Sequence, residues 1–362
     1  MSPEKVFEAF YPDAGVLQKK IFLSWLKGLQ RECEEIGVDT TQPLRGEEFP
    51  FIIEKTIRYL NPKYWLMRSP FYLPDMEKAV SILRMAHERR EAVRIGIYSD
   101  RDTDGITAGS MLALFLRDKM GIAPENILYL TPEEEDKYGF VEDAADRFLP
   151  FEPDIMILLD LGSSNANEIL EYRYAADKNP AFIIIDHHTI PESEAEYPQV
   201  EAFINPKRFS VESPERNLCS AAIAFKLIHA VFYSYTKEYN KTYHIGDRNG
   251  QEQFLKNGVI QSQGEKNHPV YFSDLHGKTS AFDSAWNTLL QRDKQVYDFS
   301  AKMKRAGINI PPAWRINILT NYHFRKIREK LGVWSTLAAT GTIADLQPLL
   351  DDNRILVLEG LN

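Results

Sequence analysis

Three short, nearly apolar runs in this chain end abruptly in carboxylates or imidazoles. Ile95-Gly96-Ile97-Tyr98-Ser99 leads into Asp100-Arg101-Asp102-Thr103-Asp104-Gly105. Ile155-Met156-Ile157-Leu158-Leu159 leads into Asp160-Leu161-Gly162, and Phe182-Ile183-Ile184-Ile185 leads into Asp186-His187-His188. Runs apolar on both alternating faces read as strands covered from both sides, as in a parallel sheet. The segments between them have helical spacing. The alternation predicts strand 93–99, helix 106–119, strand 127–130, helix 141–148, strand 155–160, helix 165–177 and strand 182–185, with a short strand 202–204 and a helix over 218–233. Such a rhythm predicts a parallel α/β sheet with right-handed crossovers, flanked by helices. Ligands bind at the carboxyl ends of strands in such sheets, which is where these acids stand.

Oxygen-rich ligand sets with an added imidazole suit hard divalent cations, and two such ions form a recognised hydrolytic device. Asp100, Asp102 and Asp104 alternate along an extended segment, and like charges that close repel one another unless a cation neutralises them. The bland alternative is a solvated acidic turn with Asp104 as a helix N-cap. Asp160 has the same alternative, although Ser163 or Ser164 would cap the next helix equally well. Adjacent histidines point different ways, so one of His187 and His188 ligates while the other faces substrate. Asp345 alone reads as an ordinary loop carboxylate. Ser220 opens a helix whose N-terminus suits an anion, and an ordinary capped helix is the equal alternative. Lys207, Arg208 and Arg354 are candidate phosphate contacts whose default is solvated surface, and so is the basic face of residues 325–330.

A chain of 362 residues is too long for one core and suggests two or three units. Residues 1–90 read as a helical N-terminal region and 91–235 as the catalytic α/β domain. Residues 236–320 read as a long insertion or subdomain, with 321–362 returning to the catalytic domain. Residues 239–283 are polar enough to be mobile, whereas Phe299, Met303, Ile308 and Trp314 would dock the second half on the sheet domain. A net charge of −9 argues against a generally basic, nucleic-acid-coating surface. The two cysteines, Cys33 and Cys219, give no disulfide framework and fit a reducing compartment. With no visible signal segment and no membrane-length apolar stretch, the expected location is cytoplasmic, with no membrane partner.

These residues resemble the DHH phosphoesterase superfamily, and within it the RecJ single-stranded-DNA exonucleases. The resemblance rests on residues 73–80, Asp100 to Gly105, Asp160-Leu161-Gly162, Asp186-His187-His188, Asn205-Pro206-Lys207, and Gly341-Thr342-Ile343-Ala344-Asp345 with Asn353-Arg354. They stand in family order. The resemblance implies two divalent cations, Mn²⁺ or Mg²⁺, held by Asp100, Asp102, Asp104, Asp160, Asp186, His187 and Asp345, with Asp160 bridging. It assigns His188 and Asp104 to catalysis, and Ser220, Lys207, Arg208 and Arg354 to the substrate. The implied activity is 5′-to-3′ exonucleolytic hydrolysis of single-stranded DNA in repair or recombination, beside repair or replication proteins. The rivals are a phosphodiesterase of the same superfamily for short oligonucleotides or cyclic dinucleotides, and a non-catalytic replication scaffold. Tyr98 stands where many members have His. The glycine-glycine-histidine motif of the C-terminal clamp domain has no match, which implies either a shortened chain or a partner that supplies the grip.

Overall fold

The computed structural model describes residues 2–361 except 36, 44–48, 134–136, 210–212, 237–238, 241, 247–251, 262–269, 274–280, 312–313, 316, 320 and 323–331. The chain divides into two compact units, Met1–Ser69 with Lys237–Lys326, and Pro70–Thr236 with Ile327–Asn362. The basic run 325–330 lies outside the described residues.

The first unit joins sequence-distant pieces. Its N-terminal part is helical, with α1 (Pro3–Phe10), α2 (Val16–Glu35) and α3 (Phe51–Leu60). Residues 242–273 contribute a four-stranded sheet of mixed antiparallel and parallel pairs, in the stretch the sequence left open between long loops and a small subdomain. Its strands are β6 (Thr242–Gly246), β7 (Glu252–Lys256), β8 (Val259–Gln261) and β9 (Val270–Ser273), in the order β8-β7-β6-β9. Asn257 and Gly258 turn β7 into β8, both with positive φ (51° and 79°). Asn-Gly is the pair that a two-residue hairpin of this hand requires. Two helices follow, α9 (Ala281–Arg292) and α10 (Lys294–Arg305). Asp293 caps α10 by accepting from the Gln295 and Val296 backbone N–H groups at 2.8 and 3.0 Å. The buried stripe of α10 is Val296, Phe299 and Met303. Phe299 meets Phe10 and Trp65 edge-on, with ring centroids 6.0 and 4.9 Å apart. The aromatic partners of this half, Phe10 and Trp65, come from the N-terminal segment of its own unit.

The second unit holds the parallel sheet, β1 (Ile95–Ser99), β2 (Ile127–Leu130), β3 (Ile155–Leu159), β4 (Ala181–Ile185) and β5 (Ala202–Ile204), in the order β2-β1-β3-β4-β5. Every pairing is parallel. Connections leave β1 towards β2 and return to β3 on the other side, so the sheet switches direction between β1 and β3. One face packs Tyr98, Phe140, Phe148, Met156, Leu158, Phe182 and Ile184 into a closed apolar cluster. Helices α5 (Thr103–Asp118), α6 (Glu142–Asp146), α7 (Ala166–Ala175) and α8 (Ser220–Ser234) connect or follow the strands. Helix α4 (Met76–Glu88) precedes β1 and packs on α8 and β5, so it belongs to this unit although the sequence grouped it with residues 1–90. Asp75 does not cap α4: its side chain takes Lys78, the Phe203 N–H and Arg208 instead.

The last two helices, α11 (Gly332–Ala344) and α12 (Asp351–Gly360), return to this unit. Helix α11 packs on α5 and α8. A Cβ on Gly341 would stand 2.5 Å from Ala221 Cβ and 2.7 Å from Asp104 Oδ1, so only glycine lets α11 come this close. Helix α12 is tied to α8 by a buried ion pair, Lys226 Nζ to Asp352 Oδ2 at 2.6 Å. Among the described residues, no helix is long and apolar enough to cross a membrane.

Candidate metal centre

The acids lie just beyond β1, β3 and β4, at the switch point and its neighbour. Asp102 is the N-cap of α5, its Oδ1 accepting from Gly105 N–H at 2.9 Å. That role falls two residues before Asp104, the position the bland alternative named. Asp104 is therefore in the first turn and buried. Its two oxygens accept from the backbone N–H groups of Ser220 and Ala221 at 2.8 and 2.9 Å, at the positive end of α8. Asp160 is fully buried and sits in left-handed backbone at φ 63°. Its Oδ1 accepts from Ser220 Oγ at 3.0 Å and lies 3.2 Å from His187 Nε2. Its Oδ2 is buried with no hydrogen-bond partner.

His187 Nε2 also lies 3.7 Å from Asp104 Oδ2 and 3.6 Å from Asp345 Oδ2. Asp345 reaches the centre from the end of α11, where Gln347 donates to it at 2.6 Å. Three ligand groups result: Asp160 with His187 and His188, Asp104 with His187 and Asp345, and Asp100 with Asp102 and Asp160. Within each, one ligand atom per residue lies within 4.8 Å of the others. Asp160 and His187 each belong to two groups, which is the placement a shared ligand needs.

Asp186 does something else. Its Oδ1 accepts from the His187 and His188 backbone N–H groups and from His188 Nδ1 at 2.7, 3.1 and 2.8 Å, and its Oδ2 accepts from Ser163 N–H at 3.0 Å. The structure does not place it in any of the three groups. It orients the His187-His188 turn, as carboxylates behind metal-site histidines do. Asn205 supports the same turn, donating to the His188 carbonyl at 3.0 Å and to Ser163 Oγ at 2.8 Å.

The electrostatics match this division. Burial, then the neighbouring Asp160, pushes Asp104 up to about 7, against the pull of the Ala221 N–H. Burial also raises Asp160, with His187 opposing. For Asp100 burial again raises the carboxyl, opposed by the Arg101 N–H. Burial works against a charged His187, but the Asp160 hydrogen bond and the nearby carboxylates raise it overall. The Asp186 hydrogen bond pushes the half-exposed His188 up to about 9. Burial would raise Asp186, but His188 and the turn's hydrogen bonds outweigh it and bring it down to about 2. Carboxylates that reject their own charge, beside an unpartnered buried oxygen, fit a site completed by cations.

The expected substrate residues separate. Ser220 is inside the centre, holding Asp160 through its hydroxyl and Asp104 through its N–H. Lys207 is half-buried, donates to the Arg216 carbonyl at 3.3 Å, and feels the Asp345 charge. Arg208 instead donates to Asp75 and the Phe203 carbonyl at 3.0 and 2.8 Å, over the rings of Tyr197 and Phe203. Arg354 lies in the first turn of α12, beside Asn353, whose amide bonds the Asn217 carbonyl at 2.8 Å. Sequence reasoning missed Tyr138, whose hydroxyl lies 3.2 Å from both the Asp160 carbonyl and His188 Nδ1. Its position after β2, at the same sheet edge as the acids, was the available signal.

A family model described as the DHH family N-terminal domain matches residues 94–247. Residues 94–247 are therefore similar to the DHH family N-terminal domain. The match spans the whole five-stranded sheet and all the acids but Asp345. Curated relatives include the single-stranded-DNA-specific exonucleases RecJ of Escherichia coli strain K12, 31% identical over 160 residues, and of Bacillus subtilis strain 168, 28% over 162. These matches cover 44% and 45% of this chain but 26% and 19% of the relatives, so the chain matches about a quarter or less of their length. Solved structures similar to it include an exonuclease RecJ bound to manganese (TM-score 0.45, 20% identity, 80% of this chain and 48% of that one). Another is RecJ of Thermus thermophilus with Mn²⁺ (TM-score 0.44, 18% identity, 85% of this chain and 31% of that one). The fold of the parallel-sheet unit rests on its own strand order and register.

Proposed function

We propose that this chain is a metal-dependent phosphodiesterase, acting as a 5′-to-3′ exonuclease on single-stranded DNA. The observation that carries the reading is the convergence of three ligand groups around Asp160, one of whose buried oxygens has no partner. Two divalent cations, Mn²⁺ or Mg²⁺, would be held by Asp100, Asp102, Asp104, Asp160, His187 and Asp345. When bound they would supply Lewis acidity at the phosphodiester and lower the pKa of water.

The chain's own residues do the rest. The α8 N-terminus fixes Asp104 through two N–H groups, and Ser220 fixes Asp160, so the carboxylates need no reorganisation to receive cations. Asp186 holds the exposed His188 by Nδ1 and leaves Nε2 without a carboxylate partner. A protonated His188 donates there to the scissile phosphate or to the departing oxygen. Lys207, with its charge near Asp345, would contact the strand's phosphates. Single-stranded DNA as substrate is supported by the names of the curated relatives.

The test is digestion of 5′- and 3′-end-labelled single strands with Mn²⁺, with Mg²⁺ and with chelator. Cation-dependent release of mononucleotides from the 5′ end is expected. Products that appear only from strands of two to five nucleotides would turn the reading to an oligonucleotide phosphodiesterase. Cation binding without hydrolysis of any phosphodiester would turn it to a scaffold.

A further inference from the structure

The loop after β2 brings one large aromatic side chain to the centre that no ligand role explains. Tyr138 leaves the sheet edge shortly before Phe140, which is fully buried in the apolar cluster. The Phe140 N–H donates to Asn165 Oδ1 at 3.1 Å, which fixes the chain two residues beyond Tyr138. The Tyr138 hydroxyl donates to the Asp160 carbonyl at 3.2 Å. It also lies 3.2 Å from His188 Nδ1 and 3.5 Å from Nε2, and the two rings meet edge to face, centroids 5.7 Å apart at 72°. The ring is thus held at both ends, beside the histidine that faces the phosphodiester. It is nevertheless 60% exposed.

A tyrosine whose hydroxyl is anchored and whose ring stays in solvent contributes little to the core. Its cost is an exposed apolar face; its asset is a rigid one. A rigid aromatic face beside a phosphodiester centre suits a nucleobase, because every base offers a π-face and stacking needs no particular sequence.

We propose that Tyr138 is a substrate-positioning residue whose exposed ring stacks on the nucleobase adjoining the scissile phosphodiester. The inference rests on the phosphodiesterase reading above and narrows its substrate to strands bearing bases at that position. The hydroxyl acts as the tether: it holds the ring to Asp160 and His188, so a stacked base sets the phosphate against His188. Sequence-tolerant, base-dependent recognition follows, in place of hydrogen-bond readout.

The experiment compares a thymidine decamer with the same decamer carrying tetrahydrofuran abasic residues at its two terminal positions at each end. Rates are measured in Mn²⁺ and binding by fluorescence anisotropy in chelator. Base stacking by one aromatic is worth about 1–3 kcal/mol, or about five- to 150-fold. Wild type should therefore favour the base-bearing strand about tenfold or more in both kcat/KM and Kd. Tyr138→Leu should bring both ratios towards one, and Tyr138→Trp, which keeps a stacking face, should restore the preference. Tyr138→Phe should keep the face but loosen the tether, giving an intermediate ratio. If Tyr138→Leu slows both strands equally and leaves the ratio intact, Tyr138 is a structural residue and the proposal is overturned. If wild type hydrolyses neither strand, the phosphodiesterase reading fails and this proposal with it.

Discussion

The inner and outer sides of the centre are built from the same residue types to different effect. On the inner side Asp104, Asp160 and His187 are buried, and their carboxylates are pushed towards neutrality by burial. On the outer side Asp102 and His188 are exposed and Asp100 is half-buried, and His188 is paired with Asp186. Burial disfavours unneutralised negative charge on the inner side, which suits those carboxylates to a cation. Asp102 and His188 on the outer side are open to solvent. The same Asp186-His187-His188 turn serves both sides because adjacent side chains diverge.

The largest expected effect is on the residue both sides share. Asp160→Ala removes the one carboxylate common to two ligand groups. The loss of several kcal/mol of transition-state stabilisation corresponds to about 10³-fold or more in turnover. Initial rates in saturating Mn²⁺ check this, and activity within a few-fold of wild type would break the comparison at its centre. Next comes the division between the histidines. His187→Ala should weaken Mn²⁺ affinity about tenfold or more. His188→Ala should cut turnover while Mn²⁺ affinity stays near wild type. Equal loss of metal in both variants would mean that the outer histidine is a ligand too.

Packing behind the inner side gives a smaller effect. Gly341→Ala forces a methyl against Ala221 and Asp104. It should destabilise the chain by about 2 kcal/mol, read by urea unfolding, and lower activity because Asp104 and Asp345 must shift together.

The pH dependence separates the sides in another way. Asp104 binds its proton more tightly folded than unfolded. That stability is fully present below the ordinary value of 3.8 and is lost as pH rises through about 7. In chelator, the melting temperature should therefore fall between about pH 4 and 7. His188, raised from 6.5 to about 9, extends the fall in the same direction. With Mn²⁺ present the trend should reverse, since cations bind the deprotonated carboxylate. A melting temperature in chelator that rises steadily from pH 4 to 8 would contradict the inner-side account.

The smallest effect marks the outer boundary. Arg208→Ala should cost about 1 kcal/mol at most, through Asp75, with KM for single strands unchanged. A tenfold rise in KM would return Arg208 to the substrate side that the sequence suggested.

What was legible follows the same division. Asp160 and His187 follow closely on apolar strands, and strand ends are written locally: Ile155 to Leu159 and Phe182 to Ile185 could hardly be anything else. Asp345 was visible only through its resemblance to family motifs, because α11 reaches the centre through a close approach at Gly341 that no local pattern announces. Asp186 was read as a ligand because the sequence gives its neighbours but not the four donors that occupy it. Residues 242–273 were left between loops and a small subdomain because the strands there lack apolar runs. The Asn257-Gly258 pair was the overlooked signal. The docking of α10 depends on Phe10 and Trp65, almost the whole chain away from Phe299, and such a pairing has no local trace.

Calorimetric titration of the metal-free chain with Mn²⁺ tests the central claim most directly. Two equivalents should bind to wild type, with proton release that grows below about pH 7, and Asp160→Ala should bind at most one. Absence of binding at millimolar Mn²⁺, or two equivalents retained by Asp160→Ala, would contradict it.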